Sequence, residues 1–525
     1  MTGLARTLAV TLTGLSGHLV EVEAHATQGL PGFTLVGLPD TAVRESRERV
    51  RAALSTCGLA WGEQRLTLSL SPADLPKSGS SLDLALALAV LGARGRLTSD
   101  ASEMLSRTVY IGELGLDGTV HPVRGVLPAV HAAVESGAQE VVVAQGAAAE
   151  ARLVPGARVV AVDHLGEMIQ RYGGVLPAGA AHLVSSSVEH AFRRSGAPAT
   201  PSPARQPDLA DIIGQEEARH ALEVAAAGGH HLLLTGPPGT GKTMLAERLP
   251  TILPPLRQED AVTVTSIHSV AGVFSPESGL MSDPPLRAPH HSATRAAMVG
   301  GGTGMPRPGE ISLAHRGVLF LDEAPEFSPG VLDSLRQPLE SGTVTIDRVG
   351  GRASFPASFQ LVLAANPCPC GRGDGRGLEC TCTSLQRRRY LSRLSGPLLD
   401  RVDIQVEVAA HSAAEIAAAR TGESSVLVAR RVLRARQRAA RRLAGTPWQV
   451  SAEVPGSYLR GPEGGLSPEV SRGLMRVMDR GDLSLRGVDR VLRLAWTLAD
   501  LDRADTPSPK HLGTALALRT RGARP

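Results

Sequence analysis

Aromatic residues and long apolar runs are both scarce in this chain of 525 residues, which excludes aromatic-rich cores and membrane-spanning helices. Phe, Trp and Tyr make up only 3% of the residues, so the cores must be built from aliphatic side chains. No apolar run reaches the roughly 18 residues of a membrane-spanning helix, and the longest candidate, LDLALALAVLGA (82–93), contains Asp83. The first residues, MTGLARTLAVTLTG, lack the continuous apolar region of a signal peptide. We therefore expect a soluble, cytoplasmic protein with no membrane segment.

Lysine is also rare: Lys77, Lys242 and Lys510 are the only three lysines among 55 basic residues. Arginine can replace lysine where only positive charge is required, but not where a compact ammonium group is needed. Each retained lysine is therefore of functional interest. The formal net charge of +4 and the pI of about 9.0 are compatible with nucleic-acid binding but do not indicate it by themselves.

The length of the chain predicts about two to four domains. Residues 1–172 alternate strand-like segments such as RLTLSLSP (65–72) with helical patterns such as that at 39–58. Residues 173–207 are rich in Ala, Pro, Gly and Ser, a composition that predicts a linker. Residues 208–408 read as successive βα units, and residues 409–525 read as mostly helical. The fold class is therefore α/β, with a helical C-terminal unit.

A glycine-rich phosphate-binding pattern, G-x-x-x-x-G-K-T, lies in the segment HLLLTGPPGTGKTMLAERL (231–249). It follows an apolar strand pattern and starts a helix, which is the context of a P-loop. Lys242 would bind the β- and γ-phosphates of a nucleotide, and Thr243 would bind Mg²⁺. A chance glycine-rich turn is the other interpretation, and the context disfavours it. The residues whose backbone would surround the phosphates are Gly236, Pro237, Pro238, Gly239, Thr240 and Gly241.

Two adjacent acidic residues, Asp322 and Glu323, end the apolar strand pattern in GVLFLDEAPEFSP (317–329). Asp322 would hold the water shell of Mg²⁺, and Glu323 would orient or deprotonate the attacking water. Such acids could also serve only as a helix N-cap. Because a P-loop lies about 80 residues upstream, ATP hydrolysis is the better interpretation.

The core resembles the magnesium-chelatase-like group of AAA+ ATPases in three further segments. This resemblance implies that Asn366, after FQLVLAA, is the sensor-1 residue that contacts the γ-phosphate or the attacking water. It implies that Arg401, in SGPLLDRVDIQVEV (395–408), is an arginine finger. It also implies that Arg486, in LSLRGVDRVLRL, is the sensor-2 residue, with Arg490 as the second choice. A finger acts on the nucleotide of a neighbouring subunit, so the resemblance implies a ring, most simply a homohexamer, which ATP or DNA could stabilise.

The segment PLRAPHHSATRAAMVGGGTGMPRPGEISLAHRGVLFLDEAPEF, the NPCPCG…CTC loop and the N-terminal unit together resemble the bacterial ComM/YifB family. The resemblance covers nearly the whole chain. It implies an ATP- and Mg²⁺-dependent helicase that binds branched and single-stranded DNA and promotes branch migration of three- and four-stranded intermediates during recombination, as in natural transformation. A recombinase partner is then expected. The alternative of another class is a magnesium-chelatase-type motor that remodels a protein partner.

The N-terminal unit resembles the protease domain of Lon, a ribosomal S5-like α/β fold, and the related scaffold in RadA-type recombination proteins. By that resemblance Ser81, in LPKSGSSLDLALALAVLGA, occupies the position of the nucleophilic serine. A serine nucleophile needs a base, which in Lon is a lysine on a later helix. The corresponding segment here contains Arg124 but no lysine, and Lys77 lies four residues before Ser81. We therefore expect a scaffold rather than a peptidase.

Four of the five cysteines, Cys368, Cys370, Cys380 and Cys382, lie in the glycine-rich segment 366–382 directly after the strand that ends at Asn366. Four thiolates can form a tetrahedral Zn²⁺ site, although the C-x-C spacing is less common than C-x-x-C. Disulfides are not expected in a reducing cytosol. We favour a structural zinc site, with an iron–sulfur cluster and free thiols as the other interpretations.

Positive charge that could contact DNA occurs in three places. The first is TVTIDRVGGRASF (343–355), which predicts a β-hairpin with Arg348 and Arg352 near its tip. The second is the segment before the acidic strand, APHHSATRAAMVGGG, which contains His290, His291 and Arg295. The third is a run of seven arginines over 430–442, for which a solvated surface of the helical unit is the favoured interpretation. Because aromatic platforms are few, binding should be electrostatic and salt-dependent.

Overall fold

The structure, a computed structural model, describes residues 3–59, 64–177, 207–302, 306–348, 351–373, 380–410, 422–461, 464–480 and 483–520, except for the side chains of Arg348 and Thr520. Most of the linker predicted at 173–207 lies outside the described residues. Within them, the chain forms a seven-stranded sheet, a five-stranded sheet and a C-terminal helical unit.

The N-terminal unit has one large sheet with helices packed against it. Its sheet has the strand order β3-β4-β2-β1-β5-β8-β9 in the numbering that follows. The strands are β1 (Gly3–Thr13), β2 (Ser16–Gln28), β3 (Gly32–Val36), β4 (Gln64–Ser71), β5 (Thr108–Ile111), β6 (Glu113–Leu114), β7 (Val120–His121), β8 (Glu140–Ala144) and β9 (Val159–Val162). The helices are Thr41–Thr56, Asp83–Ala93, Ala101–Arg107, Val126–Glu135, Ala148–Ala151 and Leu165–Arg171.

Local sequence explains two of these helices. The helical pattern at 39–58 is confirmed: the Asp40 side chain accepts a hydrogen bond from the backbone N–H of Val43 at 2.8 Å and caps helix Thr41–Thr56. Gly58 follows its end with a φ of +73°, a conformation that favours glycine. Helix Asp83–Ala93 is almost wholly buried, because its side chains are apolar on every face.

The second sheet is fully parallel, with its strands in the order β11 (Leu286–Arg287), β14 (Val318–Leu321), β17 (Gln360–Ala365), β10 (Leu232–Thr235) and β18 (Ile404–Glu407). Its central strands are buried on both faces, which explains their unbroken apolar sequences. The strands from here to the end of the unit are β10 (Leu232–Thr235), β11 (Leu286–Arg287), β12 (Gly300–Gly301), β13 (Arg307–Pro308), β14 (Val318–Leu321), β15 (Thr343–Arg348), β16 (Gly351–Pro356), β17 (Gln360–Ala365) and β18 (Ile404–Glu407). The helices are Glu216–Gly228, Lys242–Ile252, Gln258–Ala271, Arg295–Val299, Glu310–Leu313, Pro329–Ser334, Arg336–Ser341, Ser384–Leu391 and Gly396–Leu399.

The hairpin predicted at 343–355 is confirmed as β15 and β16, in which Thr343 pairs with Pro356 and Arg348 with Gly351. Residues 349–350 of its tip lie outside the described residues. One face of the hairpin is buried through Ile346 and Phe355, so the hairpin packs against the parallel-sheet unit along that face.

The C-terminal helical unit packs on one face of the parallel sheet, because side chains from both contribute to one hydrophobic cluster. Its helices are Ser425–Arg442, Gly456–Arg460, Pro468–Asp479, Leu485–Leu501 and Pro509–Thr520. The solvated surface expected for the arginine run at 430–442 is only partly present. Arg431 forms ion pairs with Glu223 and Glu423, and Arg442 pairs with Asp500. Several of these arginines therefore hold the helical unit together.

Candidate nucleotide-binding site

The phosphate-binding loop joins the carboxyl end of β10 to helix Lys242–Ile252. Gly239 and Gly241 have φ angles of +80° and +92°, which side chains disfavour and which this tight loop requires. The Lys242 ammonium donates to the carbonyl oxygens of Gly236 and Pro237, each at 2.7 Å, and to Asn366 Oδ1 at 3.1 Å. Burial lowers the pKa of Lys242. The only lysine of the parallel-sheet unit thus lies where a phosphate would be bound.

Asp322 and Thr243 meet at the same edge of the sheet. The strand order β14-β17-β10 brings together the carboxyl ends that carry Asp322, Asn366 and the phosphate loop. Thr243 Oγ1 donates to Asp322 Oδ2 at 2.8 Å. A hydroxyl and a carboxylate oxygen at this spacing are the hard oxygen donors that Mg²⁺ prefers, so these residues fit the ion.

Glu323 has an unusual backbone conformation and a histidine neighbour. Its φ of 49° lies in the left-handed region, where a residue other than glycine is strained. Its Oε2 lies 3.3 Å from Nδ1 of His291, in the segment that precedes the acidic strand. The sequence interpretation did not include His291 in this site, because its contact depends on how a distant loop folds.

Arg401 lies at the opposite edge of the sheet from the phosphate loop. β10 and β18 are parallel, with Leu232 opposite Ile404, and the backbone N–H groups of Asp403 and Ile404 donate to His231 O. Arg401 therefore lies beside the amino end of β10, whereas the phosphate loop follows its carboxyl end. The four residues of β10 that separate these two ends span about 13 Å. Within one chain, these two parts of the predicted site are on opposite sides.

Arg486 lies beside Arg401, not beside Lys242. Arg401 contacts the Pro397 carbonyl and the Glu340 carboxylate, and Arg486 pairs with Asp400 at 3.5 Å. Both arginines line an open cavity of about 910 Å³ at the amino edge of the sheet. The side chain of Arg486 is 78% exposed, and that of the alternative candidate, Arg490, is 10% exposed. Arg486 is therefore the one accessible to a second molecule.

A buried ion pair that the sequence interpretation missed connects this edge to the helical unit. His230 Nδ1 lies 3.1 Å from Asp403 Oδ2, and its Nε2 lies 2.7 Å from Thr497 Oγ1. Arg490 Nε lies 3.5 Å from the other oxygen of Asp403. Burial alone would raise the pKa of Asp403, but the hydrogen bond and charge of His230 and the charge of Arg493 lower it to about 2. Asp403 therefore links the arginine-bearing loop to helix Leu485–Leu501.

Replacing Asp403 with alanine is expected to destabilise the protein by about 3–5 kcal/mol, because it leaves buried cationic partners unpaired. Thermal or urea unfolding measures this loss. The pKa of Asp403 is depressed on folding, so its contribution is present above about pH 4 and is lost as the pH falls through about 2. The matched control is Asp505→Ala, whose fully exposed carboxylate pairs with Arg438. Equal unfolding curves for the two variants would contradict the assigned role.

The four clustered cysteines lie close together in space, and all four sulfurs lie within 4.8 Å of one another. The Cys368 sulfur is 3.3 Å from that of Cys370 and 3.6 Å from that of Cys380. Sulfurs bound at 2.3 Å to a tetrahedral zinc ion lie about 3.8 Å apart, so this set fits such an ion. Hydrogen bonds from the Arg372 backbone and from Cys368 lower the pKa of Cys370 to about 6, whereas burial raises the pKa of Cys368 to about 12, so Cys370 forms a thiolate more readily than Cys368. Residues 374–379 of the loop lie outside the described residues.

The candidate DNA contacts lie in two segments of the chain. Arg295 is exposed at the start of helix Arg295–Val299. Arg352 is 75% exposed on β16 and lies 3.5 Å from Asp347 on the partner strand. The Arg348 backbone belongs to β15, and its side chain lies outside the described residues.

No base contacts Ser81 among the described residues. Ser81 Oγ donates to the Val10 carbonyl at 3.4 Å. The buried Lys77 ammonium donates to the Pro72 carbonyl instead. The arrangement therefore contains no Ser–Lys pair at this position.

Three family models together match most of the chain. Residues 208–416 match magnesium chelatase, subunit ChlI; residues 22–147 match subunit ChlI of Mg-chelatase; and residues 422–519 match the C-terminal region of subunit ChlI. With the parallel sheet and its phosphate loop, these matches define a magnesium-chelatase-like AAA+ protein. No helix of the described residues is long and apolar enough to cross a membrane.

Relatives align over almost the full length. A protein of Mycobacterium tuberculosis strain H37Rv is 50% identical over 521 residues, which are 99% of both chains. YifB of Escherichia coli K12 is 40% identical over 508 residues, and competence protein ComM of Haemophilus influenzae Rd is 40% identical over 520 residues, each covering 96% of this chain and 95% of the relative. The chain belongs to the ComM/YifB family of magnesium-chelatase-like AAA+ proteins. A shorter match, 33% identical over 151 residues and 27% of each chain, is to Lon protease 2 of Bacillus subtilis.

Proposed function

We propose that this protein is an ATP- and Mg²⁺-dependent ring motor that moves on DNA and promotes branch migration of recombination intermediates. The observation that carries the proposal is the separation of Lys242 from Arg401 across the sheet. A finger that cannot reach its own nucleotide can complete the site of a neighbouring copy. A ring of identical subunits, most simply a hexamer, repeats this contact at every interface.

In this proposal each side chain of the site has one role. Lys242 and the backbone of residues 236–241 hold the phosphates, and Thr243 and Asp322 hold Mg²⁺, which neutralises phosphate charge when bound. Glu323 takes the proton of the attacking water, and Asn366 orients that water or the γ-phosphate. Arg401 and Arg486, both at the amino edge, stabilise charge on the nucleotide of the adjacent subunit.

The DNA substrate is supported by two features. Arg352 and Arg348 belong to a hairpin that is packed along one face, and exposed Arg295 adds positive charge. The second feature is the likeness to a relative named competence protein ComM, a name that favours a role in natural transformation. We propose that the motor works in the cytoplasm, with a recombinase as its partner, and that its salt-dependent contacts are made to the DNA backbone.

The domain organisation follows the same proposal. Residues 1–172 form a Lon-protease-like scaffold without peptidase activity, 173–207 form a linker, 208–408 form the ATPase core and 409–525 form the lid. The cysteine-rich insert at 366–382 holds one structural Zn²⁺, because its sulfurs have the spacing of a tetrahedral site. A second candidate function, a magnesium-chelatase-type motor acting on a protein, is favoured by the match to subunit ChlI over 208–416.

The test is ATP hydrolysis and strand separation on a synthetic four-way junction, with single-stranded and linear duplex DNA alongside. We expect DNA to stimulate hydrolysis and the junction to be resolved only with ATP. Lys242→Ala should be inactive in both assays. If no DNA stimulates hydrolysis and no junction moves, the protein-remodelling function replaces the DNA motor.

A further inference from the structure

The cysteine cluster contacts the phosphate-binding loop. The backbone N–H of Gly371 donates to the Cys368 carbonyl at 3.0 Å and closes a tight turn in which Gly371 has a φ of +77°. A Cβ at Gly371 would lie 2.5 Å from Cγ of Pro238, inside the phosphate loop. This glycine therefore permits close packing of the first cysteine pair against the loop that would hold ATP.

The same cysteine pair is tied to the sensor position. Cys368 is fully buried two residues after Asn366, so a metal ion on its sulfur would fix the backbone next to that residue. The Asn366 side chain accepts a hydrogen bond from Lys242. A shift of the cysteine turn would thus be transmitted both to Pro238 and to the contact between Asn366 and Lys242.

The second cysteine pair leads into a helix that contacts the same site. Thr383, directly after Cys382, caps helix Ser384–Leu391, whose Tyr390 is buried. The Tyr390 hydroxyl lies near the backbone N–H of Asn366, while burial and the charge of Glu326 raise the pKa of that hydroxyl to about 12. An ion bound by both cysteine pairs would therefore join the turn that follows Asn366 to the segment that leads into helix Ser384–Leu391.

We propose that a zinc-class divalent ion on the four thiolates holds Pro238 and Asn366 in their nucleotide-binding positions, and so controls the affinity for ATP. This inference rests on the proposed ATPase function. The ion acts through the packing of Gly371 on Pro238 and through the backbone at Asn366, and it touches neither nucleotide nor water. Cys368, Gly371 and Tyr390 are positioning residues.

The test is the Kd of a fluorescent ATP analogue, measured together with the zinc content of the full-length protein. The metal-loaded protein is compared with chelator-stripped protein and with a Cys380→Ser/Cys382→Ser double variant, and circular dichroism reports the fold. Stripping and the double variant should each weaken binding about tenfold. Added Zn²⁺ should restore the stripped protein but not the double variant. Unchanged Kd after complete metal loss, or no metal bound even after Zn²⁺ addition, would overturn the inference.

A second variant separates the contact from the metal. Gly371→Ala keeps all four cysteines, and we expect it to retain one zinc ion yet bind the analogue about tenfold more weakly, because its Cβ displaces Pro238. The control is Gly330→Ala, where a Cβ meets no atom within 4 Å. Wild-type Kd in Gly371→Ala would refute the contact. If Lys242→Ala loses binding while the wild-type protein binds the analogue, the ATPase proposal stands whatever the metal does. If the metal-loaded wild-type protein does not bind the analogue, both the ATPase proposal and the inference about the metal fail.

Discussion

Arg401→Ala is expected to lower kcat for ATP hydrolysis by about 10³- to 10⁵-fold, the range that an arginine finger contributes. The Kd for nucleotide should change little, because Arg401 lies at the amino edge of the sheet and its own phosphate loop at the carboxyl edge. Steady-state hydrolysis and equilibrium binding of a fluorescent nucleotide measure the two quantities separately.

The control for this variant is Arg158→Ala, an exposed arginine of the N-terminal unit that is far along the chain from the site. It should hydrolyse ATP at the wild-type rate. Size-exclusion chromatography with light scattering shows whether each variant still assembles. A fully active, monomeric Arg401→Ala protein would contradict both the finger role and the ring.

Glu323→Gln is expected to lower kcat by about 10²- to 10⁴-fold, because an amide cannot take the proton of the attacking water. Nucleotide binding should persist, since Lys242, Thr243 and Asp322 are unchanged. Single-turnover hydrolysis measures the chemical step directly. The variant should therefore bind ATP without hydrolysing it at the normal rate.

Glu326→Gln is the matched control, because it makes the same substitution three residues away. The Glu326 carboxylate pairs with Arg393 at 3.1 Å in a partly exposed position, where such pairs contribute little. Hydrolysis by Glu326→Gln should stay near the wild-type rate. If Glu323→Gln and Glu326→Gln lose activity equally, the loss comes from disturbing the loop that carries both residues and not from removing the Glu323 carboxylate as a base.

The phosphate loop and acidic strand could be predicted because each is a short segment whose function depends on neighbours in sequence. Lys242 follows an apolar strand and begins a helix, and Asp322 ends a strand; both contexts are visible in the sequence. Adjacent parallel strands then bring the two together at one edge. The hairpin at 343–355 was predictable for the same reason, because its glycine turn and the alternation of apolar and polar residues along its strands are both local in sequence.

Contacts that join distant segments could not be predicted. His230, Asp403 and Thr497 meet only after the helical unit packs on the sheet, and no local pattern marks any of them. In the arginine run at 430–442, a local pattern was visible but predicted more solvent exposure than the structure shows. Its charge density indicates a solvated face, but Arg431 and Arg442 are engaged by carboxylates contributed from other helices and loops.

Mixing two inactive variants tests whether a hydrolytic site is shared between two subunits. Lys242→Ala retains the finger and lacks the phosphate-binding lysine, whereas Arg401→Ala has the reverse defect. In rings formed by co-expression at equal levels, about a quarter of the interfaces pair an intact lysine with an intact finger. We expect hydrolysis near a quarter of the wild-type rate, far above the rate of either variant alone. Mixed rings as inactive as the separate variants would show that the two residues do not meet between subunits.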